Sequence, residues 1–101
     1  MRLTVPQIQT IKQVAFEVFG SAAQVYLFGS RTDEQRRGGD IDLYLTQAPL
    51  SLEAQLDAKL KFLVKTKQQL GDQRIDLLFA PAPGQALLPI HRMAQQTGVP
   101  L

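Results

Sequence analysis

At 101 residues, 45 % hydrophobic and 20 % charged, the chain reads as one domain spanning 1–101 with a single modest core. It has no Cys, which excludes disulfides, thiol catalysis and cysteine zinc sites and is compatible with a reducing cytoplasm. No run of about 18 apolar residues points to a membrane span, the first residues lack a leader's apolar region, and a net charge of +2 does not by itself argue for nucleic-acid binding.

Thr4-Val5-Pro6-Gln7 has the form of a capping box with Pro in the first turn, and Ile8, Ile11, Ala15, Val18 and Phe19 follow at helical spacing. A helix over 5–19 is expected, its stripe facing the core, with Gly20 stopping it. Residues 23–28 predict a strand with both faces covered, Val25 and Leu27 opposing Gln24, Tyr26 and Phe28. The strand runs into Gly29-Ser30, where bare backbone, a small hydroxyl and the start of a helical turn over 30–34 suit phosphate. In the polar loop 31–39, Arg31 adjoins this turn and is the arginine best placed to neutralise phosphate, whereas Arg36 and Arg37 read as solvated.

A second strand over 40–46 opens with Asp40-Ile41-Asp42. The period of two puts both carboxylates on one face and Ile41, Leu43 and Leu45 on the other. Two like charges side by side call for a compensating cation, and an all-oxygen donor set suits Mg²⁺ or Mn²⁺. Metal-bound triphosphate is the ligand that would join the carboxylates to the Gly-Ser turn. Ser51 caps a helix over 52–70, in which Leu52, Leu56, Leu60, Leu63 and Leu70 supply an apolar stripe while Lys59, Lys61, Lys65 and Lys67 lie mostly off it, as a solvated face.

Gly71-Asp72 ends that helix, and a strand over 74–79 carries Asp76 opposite Ile75, Leu77 and Phe79, which makes Asp76 the candidate third carboxylate. After the Pro-rich break at 80–84 a helix over 86–96 presents Leu87, Leu88, Ile90 and Met93 to the sheet or to a partner. His91, the lone histidine, reads as structural rather than catalytic. The expected class is α+β: a two-layer fold with a small mixed β-sheet and helices packed on one face.

Gly29-Ser30, then Asp40-Ile41-Asp42, then Asp76 resemble the minimal nucleotidyltransferase domains of the DNA polymerase beta superfamily, and the resemblance covers nearly the whole chain. It implies Mg²⁺-dependent nucleotidyl transfer with two ions and ATP as substrate. Asp40, Asp42 and Asp76 are then the catalytic and metal-binding residues, and Gly29, Ser30 and Arg31 hold the nucleotide. Minimal domains of this kind accompany HEPN proteins, helical ribonuclease toxins. The chain thus resembles an antitoxin of such a pair, a cytoplasmic protein that adenylylates its toxin on tyrosine, or alternatively a non-catalytic module that neutralises the toxin by occlusion. A transferase acting on RNA ends or a small molecule is a weaker third reading, since direct nucleic-acid binding is not expected. The chain departs from the family pattern at Gly39, where Ser is usual, and at Thr32-Asp33-Glu34, none of them a metal ligand.

Overall fold

The computed structural model describes residues 3–29, 40–49, 51–71, 73–82 and 84–101, with Asp40 given by its backbone alone. The helical turn expected at 30–34 and the segment to Gly39 lie outside the described residues. Helix α1, Val5–Phe19, opens as its sequence dictates: Thr4 Oγ1 accepts from the Gln7 N–H at 3.2 Å and Gln7 Oε1 accepts from the Thr4 N–H at 2.9 Å. Helix α2, Leu52–Leu70, is capped by Ser51 Oγ, which accepts the Ala54 N–H at 3.1 Å. Each cap satisfies a donor that the first turn otherwise leaves unpaired.

Strands β1, Val25–Phe28, β2, Asp40–Leu45, and β3, Arg74–Phe79, join a short β4, Val99–Pro100, in one sheet of order β3-β2-β1-β4. β1 runs antiparallel to β2 and to β4, while β2 and β3 are parallel, Ile41 opposite Ile75 and Leu43 opposite Leu77. Parallel neighbours need a crossover, and α2 supplies it. Val25, Leu27, Ile41, Leu43, Leu45, Ile75 and Leu77 form one core with Ile11, Val14 and Ala15 of α1 and Phe62 of α2. The Phe19 ring closes one end of that core, 5.8 Å from both Phe62 and Phe79. Glu17 ties the two helices at the surface: its carboxyl is held below the usual carboxylate range by the Gln13 hydrogen bond first and by Lys65 at 3.4 Å second.

The fold is α+β, with a mixed sheet and helices packed on it, the class read from the sequence. The face expected to carry the helices carries α1 and α2. A third helix, α3, Pro89–Thr97, lies across the other face, where Ala94 packs with Phe28 and Tyr44 and with Tyr26, Leu78 and Ala80. The chain must pass from one sheet edge, β3, to the other, β4, and the first face is already filled. Gln95 Nε2 donates to Tyr44 Oη at 3.0 Å, and His91, 8 % exposed, accepts the Leu88 N–H on Nδ1 at 3.0 Å. His91 is thus a satisfied structural histidine. No helix among the described residues is long and apolar enough to cross a membrane.

Three local expectations change. No strand is expected at 99–100, because two residues carry no periodicity; β4 exists because β1 offers its edge, with the Leu101 N–H donating to Val25 O at 3.0 Å. α3 begins at Pro89, not 86, and covers the sheet through Ala94 and His91, leaving Leu87, Leu88, Ile90 and Met93 between 38 % and 53 % exposed. On α2 the buried residues are Phe62 and Thr66, whose Oγ1 donates to Phe62 O at 2.8 Å. Leu52, Leu56 and Leu60 of the expected stripe face solvent, and only Leu63 and Leu70 touch the core. Steps of four residues advance about 40° beyond a full turn each, so a run of them winds off any one face.

Phe62→Ala should therefore cost about 3–5 kcal/mol by urea unfolding, whereas Leu60→Ala in dilute protein should stay within about 0.5 kcal/mol of wild type. Equal losses at the two positions would contradict the assignment of faces on α2.

Candidate active site

Asp42 and Asp76 are the third residues of β2 and β3 and stand as direct partners in the parallel register. Adjacent strands lie about 4.8 Å apart, and in-register residues share a face. Their neighbours Ile41, Leu43, Ile75 and Leu77 enter the α1–α2 core, so both aspartates occupy the opposite face. Phe28 of β1 continues the same row, paired with Asp42. α3 packs on the next row, Tyr26, Tyr44 and Leu78, and through Ala94 on Phe28. Asp42 is half-buried and Asp76 is exposed. Asp40, the first residue of β2, stands in register with Arg74; its side chain lies outside the described residues.

Gly29 follows β1 directly with φ 76°, a left-handed conformation that favours glycine. A β-carbon here would sit 2.5 Å from Asp42 Oδ2, so the turn lays bare backbone against that carboxylate. The structure thereby joins Gly29 to Asp42 and Asp42 to Asp76. Ser30 and Arg31, the other expected nucleotide-binding residues, lie outside the described residues.

Arg74 is the neighbour that sequence reasoning left without a role. Its Nε is 3.9 Å from Asp76 Oδ2, with the two side chains 74 % and 56 % exposed. A pair this long and this solvated attracts weakly and is screened by salt. The signal was available: two residues before Asp76 in one strand means the same face. Among the described residues no three Asp, Glu, His or Cys side chains group as a metal cluster; what is described is a pair. Like charges directly opposite on a sheet destabilise it, and two carboxylates with no nitrogen or sulfur donor form a set that suits a hard divalent cation. The residues present fit Mg²⁺. A hollow of about 620 Å³ opens elsewhere, between α1 and the β4 edge, lined by Phe16, Val25 and Leu101. It carries no comparable chemistry.

Gly29→Ala should destabilise the protein by about 1–3 kcal/mol, from backbone strain together with displacement of Asp42. Gly20→Ala supplies the comparison, with φ 93° and nothing within 4 Å of an added β-carbon. Thermal unfolding should therefore show the larger loss at Gly29; equal losses would mean that Asp42 does not rest against the turn. Compared with models of known protein families and with the curated proteins, the chain matches none of them.

Proposed function

We propose that the protein is a Mg²⁺-dependent nucleotidyltransferase that uses ATP to adenylylate a protein partner, a HEPN-type ribonuclease toxin whose antitoxin it is. The observation that carries the proposal is the in-register pair Asp42 and Asp76, with the Gly29 backbone against Asp42. The resemblance in Gly29-Ser30, Asp40-Ile41-Asp42 and Asp76 supplies the reaction class, and it places Asp40 among the metal-binding carboxylates and Arg31 beside the triphosphate.

Bound Mg²⁺ would supply charge neutralisation at the phosphates. Asp42 and Asp76, with Asp40, would hold it, and the backbone from Gly29 would seat the β- and γ-phosphates. Asp76, the more exposed of the described pair, would take the proton of the attacking hydroxyl. That oxygen forms a bond to the α-phosphorus of ATP, the bond from that phosphorus to the bridging oxygen breaks, and pyrophosphate leaves.

A second reading, a binding module that neutralises its partner by occlusion without catalysis, draws on Arg74. Its guanidinium, 3.9 Å from Asp76, is a cation already on the carboxylate face, though one that attracts weakly at that distance and exposure.

Two measurements test the proposal. Mg²⁺ should raise the thermal midpoint of wild type, and Asp42→Asn should lose most of that shift. With α-labelled ATP, Mg²⁺ and the protein encoded beside it, wild type should transfer label and Asp42→Ala should fall at least about 100-fold, as expected when a metal-holding carboxylate is removed. Absence of transfer by wild type, with cells still protected by the Asp40→Ala, Asp42→Ala variant, would favour occlusion.

A further inference from the structure

The side of α2 turned away from the core carries Leu52, Leu56, Leu60 and Val64, spaced four apart and 72 %, 57 %, 64 % and 54 % exposed. Scattered exposed hydrophobes need no explanation, but a contiguous row of four along one helix marks an interaction surface. The charges beside the row name the occupant. The adjacent row, again four apart, is Glu53, Asp57, Lys61 and Lys65, acidic in its first half and basic in its second, and all four are exposed.

We infer that α2 is the interface of a homodimer in which two copies of the helix pack antiparallel about a two-fold axis near Ala58. Leu56 of each copy then lies on Leu60 of the other, and Leu52 on Val64. In the flanking row Asp57 comes within about 3 Å along the axis of Lys61 of the other copy, and Glu53 within about 3 Å of Lys65, which also lies 3.4 Å from Glu17 of its own chain. The two Asp57, equally close across the axis, have the two Lys61 between them. A parallel pairing would set acid on acid and base on base, which is unfavourable. Within one chain Lys61 already lies 3.0 Å from Asp57, so the axis turns that pair into a ring of four alternating charges. Lys59, nearest the axis on the other flank, is half-buried and lines a hollow with Leu78, Phe79 and His91, so it does not meet its own copy. Along residues 87–97, which carry the exposed side chains of α3, the sequence has Arg92 as its one charged residue, so that surface lacks such self-complementarity.

Rows of every fourth residue interdigitate at a crossing of about 50°, and the apolar row is about 18 Å long at 1.5 Å per residue. That is the small end of stable interfaces. The dimer is therefore reversible, at about micromolar Kd, the weak end of the range that such interfaces span, and it does not depend on the nucleotidyltransferase reading.

Sedimentation velocity between about 1 and 300 µM, a range that brackets the expected Kd, should show wild type passing from monomer to dimer. Leu56→Glu with Leu60→Glu should stay monomeric throughout, its circular dichroism and dilute-solution thermal midpoint unchanged because both positions are exposed. Asp57→Lys should weaken the dimer at least about tenfold, and adding Lys61→Asp should restore it. The chain has no Cys, so orientation can be read by oxidative cross-linking: a mixture of Leu56→Cys and Leu60→Cys chains should cross-link to each other far more than either does alone. Monomeric wild type at the highest concentration, an intact dimer in the double Glu variant, or self-linking as efficient as cross-linking would each overturn the inference.

Discussion

The parallel, in-register pairing of β2 with β3 is the constraint on which the rest of the structure depends. One register does two things at once. It sets Ile41, Leu43 and Leu45 beside Ile75, Leu77 and Phe79, giving α1 and α2 a continuous apolar surface. It also sets Asp42 beside Asp76 on the reverse face. A slip by one residue would send aspartates into a core that includes fully buried Leu43 and Leu45, and burying an unpaired carboxylate is far costlier than leaving it wet. The hydrophobic core therefore enforces the closeness of two like charges that would otherwise separate. Any chemistry at this pair is paid for by the packing behind it.

The route of α3 completes the site's surroundings. Because the chain must reach the β1 edge from the β3 edge, α3 spans the reverse face and packs on Tyr26, Tyr44 and Leu78 and on Phe28 of the aspartate row, with Asp42 half-buried and Asp76 exposed. Ala94, 1 % exposed, allows the helix to lie close to the aromatic rings. Gly98 continues the approach: a β-carbon on it would come within 3.2 Å of Tyr26 Cβ. Tyr44 meets α3 at two points, Gln95 at its hydroxyl and the His91 ring 6.5 Å away. The carboxylates thus border a fixed aromatic wall.

α2 has two apolar characters on one helix. Phe62 and Thr66 anchor it to the sheet, with Leu63 and Leu70 at the margin, and the helix spends few of its residues on that contact. The leucines that dominate its composition wind toward solvent instead. Its acidic start and basic end complement the helix dipole, and the same segregation makes the helix electrostatically self-complementary when reversed. One charge pattern therefore serves both the isolated helix and its meeting with a second copy.

The two long helices and β3 were legible residue for residue, because capping boxes, serine caps and glycine stops act within a few residues of themselves. The Asp-x-Asp alternation likewise declared which residues of β2 share a face, and Asp76 followed from the same period of two. Arg74 carried that signal as well, yet its partnership needed β3 to be laid beside β2 before its neighbours had names. Composition and local spacing by themselves determined the class, the order of the elements as far as α3 and the residues that compete for one face. Only the tertiary structure decided which side of α2 meets the sheet, that α3 crosses the reverse face, and that two residues at the end become a strand. Those outcomes depend on which surfaces are already occupied, and a local pattern holds no information about occupancy.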